Sequence, residues 1–241
     1  MKNSIKISKK KYLIHGLAAI ALMFSLSSCL KNNNDNATPN IAALSVIHAA
    51  PGLQSFDFVI NNQRVNSAPF NFSERLPYFN IYGGNRTFGI FKAGSADSIK
   101  TGNFLAESGK FYSIYVIGQA TEPQFLILKD SLTVPTVGKA RVRFLNLSPD
   151  APALSLSLKS TSNPSDSTLF SNQTYKSQSL FTEIDGGKTY SFTTRSNSET
   201  AVATLDNVNI ESGKIYTIWS KGLISSTNDT TKVGLKVQQN Y

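Results

Sequence analysis

The chain has 241 residues and a formal charge of +9, but its first 28 residues hold five of the 24 basic side chains and none of the 15 acids. Beyond them the balance is 19 basic to 15 acidic, or +4, without a dense run of Lys and Arg, which argues against the clustered basic face that a nucleic-acid partner requires. The one cysteine excludes an internal disulfide, and a Ser-, Thr- and Asn-rich chain of modest charge suits one or two β-built domains, each large enough to bury a core.

Residues 1–28 have the three-part build of a secretory signal. Lys2, Lys6, Lys9, Lys10 and Lys11 form a basic start, an apolar run from Leu13 to Leu26 follows, and small residues lead to Cys29. The run is shorter than the roughly 20 residues that cross a membrane as a helix, and it fits the core of a cleaved signal. Leu26-Ser27-Ser28-Cys29 resembles the lipobox of bacterial lipoproteins. That resemblance implies cleavage before Cys29, acyl chains on its thiol and new amine, and anchorage to the outer membrane of a Gram-negative envelope, on its periplasmic or its outer face. Residues 29–40 are polar and Asn-rich, and they read as a flexible tether between lipid and folded chain.

From residue 41 the chain repeats itself, which is the first feature to seek in a sequence of this kind. Glu107-Ser-Gly-Lys-Phe-Tyr answers Glu211-Ser-Gly-Lys-Ile-Tyr at a separation of 104. Ile81-Tyr-Gly-Gly84 answers Ile184-Asp-Gly-Gly187 at 103, and Val46-Ile-His-Ala-Ala-Pro-Gly52 answers Phe144-Leu-Asn-Leu-Ser-Pro-Asp150 at 98. The order is kept, so the economical reading is duplication, with repeats over 41–134 and 135–241 joined near Val134-Pro135-Thr136-Val137-Gly138.

Within each repeat the apolar period is two, the mark of strands with one buried face. Phe56, Phe58 and Ile60 are expected inward, with Asp57 and Val59 outward; Leu154, Leu156 and Leu158 alternate with Ser155, Ser157 and Lys159. Phe125 to Leu128 is continuously apolar, which predicts deeper burial. Arg141 and Arg143 fall at alternate positions and read as a solvated strand face. The Gly pairs and the Ser-Gly-Lys stretches mark chain reversals. Strands at about ten-residue spacing with turns between them predict an all-β fold of two tandem antiparallel β-sandwich domains, Ig-like or prealbumin-like.

These motifs carry a resemblance to the bacterial domain-of-unknown-function family 4397. Its pattern has His-Ala-Ser-Pro-Asp-Ala-Pro, an alternating strand with an Asp, an aliphatic-x-Gly-Gly turn and a Gly-Lys-x-Tyr-Thr strand. His48-Ala49-Ala50-Pro51-Gly52 and Asp57 match it in part. Ser148-Pro149-Asp150-Ala151-Pro152 and Gly213-Lys214-Ile215-Tyr216-Thr217 match in the second repeat, where Asn146 and Ser155 replace the His and the Asp. The resemblance implies a secreted or envelope β-sandwich and brings no activity with it.

The residues with chemical potential are few. After cleavage of the leader His48 is the only histidine; it would need Asp57 as partner for a metal site, whereas an Asn at the paired position 146 points to a shared hydrogen-bonding role. No nucleophile elbow, phosphate loop or dinucleotide fingerprint is present, and Glu107 and Glu211 precede turns, so neither enzyme nor cofactor chemistry is expected. A hydrolase would require His48 and a serine within hydrogen-bond reach. Tyr112, Tyr115, Tyr216 and Trp219 lie on the repeated strand; they are either sandwich core or an exposed face for a glycan or protein partner. The expectation is a lipid-anchored, non-catalytic binding or structural module.

Overall fold

A computed structural model describes residues 40–161 and 163–240. The expected leader, Cys29 and the tether up to residue 39 lie outside the described residues. The strands of the first half are β1 (Ile41–His48), β2 (Phe56–Ile60), β3 (Gln63–Arg64), β4 (Arg75–Tyr82), β5 (Gly84–Lys92), β6 (Ser98–Ala106), β7 (Phe111–Gln119) and β8 (Glu122–Asp130). Those of the second are β9 (Lys139–Asn146), β10 (Leu154–Ser160), β11 (Asn163–Gln173), β12 (Thr182–Asp185), β13 (Lys188–Arg195), β14 (Ala201–Ile210), β15 (Ile215–Lys221) and β16 (Gly234–Gln239).

The first eight make two sheets, ordered β4-β1-β7-β8 and β3-β2-β5-β6; the second eight repeat the plan as β12-β9-β15-β16 and β11-β10-β13-β14. The fold is therefore all-β, a pair of sandwiches of the same topology. One feature departs from the antiparallel expectation: β1 runs parallel to β7 and β9 runs parallel to β15. Those neighbours are far apart in sequence, so no tight turn constrains their direction.

Alternation fills each sandwich. Ala42, Leu44 and Val46 of β1 and Tyr112, Ile114 and Val116 of β7 meet Phe56, Phe58, Phe88 and Ile90 of the opposite sheet. Val142, Phe144, Tyr216 and Ile218 meet Leu154, Leu156 and Phe192 in the same way. Each such side chain contributes about 1.5–3 kcal/mol by leaving water, so local signals and burial agree.

The turns repeat as well. Gly109 and Gly213 take positive φ, 71° and 79°, in the two Glu-Ser-Gly-Lys reversals. The backbone N–H of Glu107 donates to the Tyr112 hydroxyl, and that of Glu211 to Tyr216, each at 3.1 Å. The repeated tyrosine is thus a core ring whose hydroxyl ties down the turn five residues before it.

The opposite faces of β1, β7, β9 and β15 are not solvated. Ile47, Ala49, Tyr115, Ile117 and Leu128 of the first repeat pack with Leu145, Leu147 and Trp219 of the second. The run Phe125 to Leu128 divides accordingly. Phe125 and Ile127 pack on the first core, while Leu126 and Leu128 pack on this seam. Sheets buried on both faces read as near-continuous apolar runs, which is why these strands lose a clean alternation.

Candidate binding site

The four aromatic candidates do not form a binding face. Tyr112 and Tyr216 belong to the two cores, and Tyr115 and Trp219 occupy the seam, 0% and 2% exposed. Of the two readings open for them, burial fits packed interior and corrects the exposed face for a glycan or protein partner. Tyr115 accepts a hydrogen bond from Gln238 Nε2 of the other repeat at 3.0 Å, so its polar end is spent on holding the repeats together.

Arg143 corrects a second expectation. It is 2% exposed rather than solvated, and its guanidinium lies 2.6 Å from the Asp130 carboxylate across the seam. Asp130 also accepts hydrogen bonds from Tyr78 and Ser113 hydroxyls, both at 2.7 Å. Arg143 Nε donates to Thr217 Oγ1 at 2.9 Å, and its guanidinium stacks on Phe181 at 4.7 Å. Thr217 donates to Asn240 Oδ1 at 2.7 Å, and Asn240 Nδ2 donates to the Tyr78 hydroxyl at 3.3 Å. The ion pair thus sits inside a hydrogen-bonded network fed by both repeats. Burial and the Asp130 charge push the Tyr78 phenol above its ordinary pKa, which keeps it a neutral donor.

The polar trio His48, Asp57 and Asn146 is not brought together as a site. His48 is wholly buried against Phe56, Phe70 and Phe72, with ring centroids at 4.5, 6.2 and 5.8 Å. Neither ring nitrogen has a well-formed hydrogen bond; the backbones of Leu53 and Gln54 are its polar neighbours. Burial holds its pKa down at about 4, so it is neutral at pH 7. Asn146, by contrast, is saturated: its amide donates to Pro152 O and Gln173 O, and its carbonyl accepts from Ser220 Oγ and Ser148 N. The register explains the difference, because Val116 pairs with His48 where Ser220 pairs with Asn146. Only the amide has a hydroxyl beside it.

Asp57 is buried, not outward as expected. It accepts from Asn66 Nδ2 at 3.0 Å and from Gly94 N at 2.8 Å, and it faces Arg64 at 3.4 Å. These bonds staple the β2–β3 hairpin to the β5–β6 turn. Among the described residues no group of three His, Cys, Asp or Glu side chains could hold a metal ion.

A different surface has the character of a binding groove. Tyr82, at the end of β4, is 75% exposed. It borders a groove of about 220 Å³ between the edge strands β3 and β4, lined also by Asn61, Gln63, Arg64, Phe79 and Asn80. Asn61 and Asn62 both take positive φ, 46° and 63°, as a two-residue type I′ hairpin turn requires, and this turn sets Asn61 on the rim. The sequence carried the signal in Ile81-Tyr82-Gly83-Gly84: the second repeat has Asp185 where Tyr82 stands, and a ring at that outward position next to a turn is conspicuous.

Residues 42–157 match the family model described as a domain of unknown function, DUF4397; the match spans the first repeat and continues through β9 into β10. No curated protein shows sequence similarity to the chain. Among solved structures, the Bacillus anthracis TIE protein is 12% identical with a TM-score of 0.24, over 75% of this chain and 34% of that one. The chain therefore spans about a third of that protein's length. A family 26 carbohydrate-binding module of Eubacterium rectale Amy13K, solved with maltoheptaose, is 8% identical with a TM-score of 0.26, over 82% of this chain and 96% of that one. Family 41 carbohydrate-binding modules of streptococcal virulence factors give 11% identity and a TM-score of 0.27, over 80% and 96%. At such TM-scores the likeness carries no functional information.

Proposed function

We propose that the protein is a non-catalytic binding module, held to the outer membrane of a bacterial envelope by acyl chains on Cys29, that engages a glycan or protein partner through the Tyr82 groove. The carrying observation is the exposed ring of Tyr82 beside amide and guanidinium side chains. A ring face with a few polar groups around it is the chemistry that grips a sugar or a polar peptide at low entropic cost. The burial of His48 among phenylalanines, without a hydroxyl on either nitrogen, weighs against the hydrolase alternative. The matched strand order of the two halves supports reading 135–241 as a second copy of the same family domain, diverged beyond the matched span.

A glycan array probed with the full chain tests the groove. Binding to defined glycans that is lost in Tyr82→Ala supports it, whereas binding unchanged in that variant moves the site elsewhere. The substitution is at an exposed position, so it should leave stability within about 0.5 kcal/mol. Labelling cells with a fatty-acid probe tests the anchor: the wild type should be marked, and equal labelling of Cys29→Ala would end that part of the reading.

A further inference from the structure

The two repeats differ in charge at one equivalent place. In the first, Tyr115 pairs with Leu126 and Ile117 with Gln124; in the second, Trp219 pairs with Lys236 and Lys221 with Gly234. Ile117 and Leu126 are therefore matched by Lys221 and Lys236, and Glu122 by Lys232. The first repeat uses its pair as apolar seam, while the second has cations there.

Gly234 makes the arrangement possible. A Cβ on it would lie 3.2 Å from Lys221 Cε, so the missing side chain leaves the trough in which the Lys221 stem runs. Lys236 stands diagonally across from Lys221, two residues beyond Gly234, and diagonal neighbours on a sheet are within reach of long side chains. Lys232 lies two residues before Gly234, and its ammonium pairs with Asp229 at 2.6 Å. Phe72 of the first repeat covers Lys221, with its ring 5.7 Å from the ammonium.

Lys221 is half-buried, and its ammonium makes no side-chain hydrogen bond or ion pair among the described residues. Burial first, and then the Lys236 and Lys232 charges, hold its pKa below the ordinary lysine value. A partly desolvated cation crowded by like charges is costly to keep, and the nearby carboxylate of Asp229 pairs with Lys232.

We propose that Lys221, Lys236 and Lys232, with Phe72 as a wall, form an oxyanion site for a phosphate group. Three compact ammoniums carried at neighbouring positions around Gly234 suit a tetrahedral anion, whereas a planar carboxylate is better matched by the fork of an arginine. The phosphate belongs either to a free ion or to the headgroup of an anionic lipid. This site is separate from the Tyr82 groove and does not rest on it.

Calorimetric titration of inorganic phosphate into the full chain in neutral detergent, at ionic strength matched with NaCl, tests the site. The expected result is saturable binding that weakens about tenfold or more in Lys221→Gln and in Lys236→Gln and is unchanged in Lys100→Gln, an exposed lysine of the first repeat. Vesicles of phosphatidylcholine with and without phosphatidylglycerol distinguish the source. Extra binding to the anionic vesicles that depends on Lys221 assigns the headgroup; equal binding to both, beside a phosphate response, assigns the free ion. A phosphate response that both variants retain, or that NaCl alone reproduces, overturns the proposal.

Discussion

At the scale of single residues, burial decides protonation and the cost of substitution. His48 has a folded pKa of about 4 against 6.5 for the free side chain, so between those values the unfolded chain binds the proton and the folded chain does not. Stability linked to His48 is then complete above about pH 6.5 and is lost as pH falls toward 4, on the order of 2–3 kcal/mol. Urea melts of wild type and His48→Phe at pH 7 and pH 4.5 should show a steeper loss for the wild type; parallel losses would contradict the assignment. The Asp130–Arg143 pair makes a second test. Arg143→Met strands a buried carboxylate and should cost about 3–5 kcal/mol, while Asp130→Asn in the same chain should recover part of that loss. Equal destabilisation of the single and double variants would show that the charge is not what matters.

At the scale of elements, the informative strands are β7 and β15. Their turn chemistry was legible: Glu-Ser-Gly-Lys-x-Tyr announced a reversal, and the repeated bond from the Glu backbone to the Tyr hydroxyl shows why that tyrosine recurs. Tyr216→Phe should cost about 0.5–1.5 kcal/mol by leaving the Glu211 N–H without its partner, measurable as a shift of the urea midpoint at constant m-value. What the alternation could not reveal was the destination of the second face. Tyr115 and Trp219 sit at outward positions in their own sandwiches, and an outward aromatic reads the same whether it meets a ligand, solvent or another sheet. Arg143 misled for the same reason: strand position assigns a face, not what covers it. Asp57 was an outward residue whose partners, Asn66 and Gly94, come from separate turns that a period of two does not place.

At the scale of the whole molecule, two sandwiches of one topology share a seam that is apolar around Trp219 and polar around Asp130 and Arg143. The all-β class, the strand spacing and the matching plan of the two halves were readable because each is written in local sequence. The docking of one repeat on the other was not, since it depends on which of two equivalent faces meet. The seam joins the repeats tightly enough that unfolding should follow one transition, with tyrosine and tryptophan signals coincident. Its consequence for function is that the repeated aromatic strand serves assembly, so the recognition we propose falls to Tyr82 and to the lysines around Gly234. The most direct test is acrylamide quenching of Trp219, the one tryptophan of the chain. The account predicts quenching far weaker in the folded chain than in urea and unaltered by any glycan that binds; quenching as efficient in the folded chain as in urea would mean that the repeats do not close over Trp219.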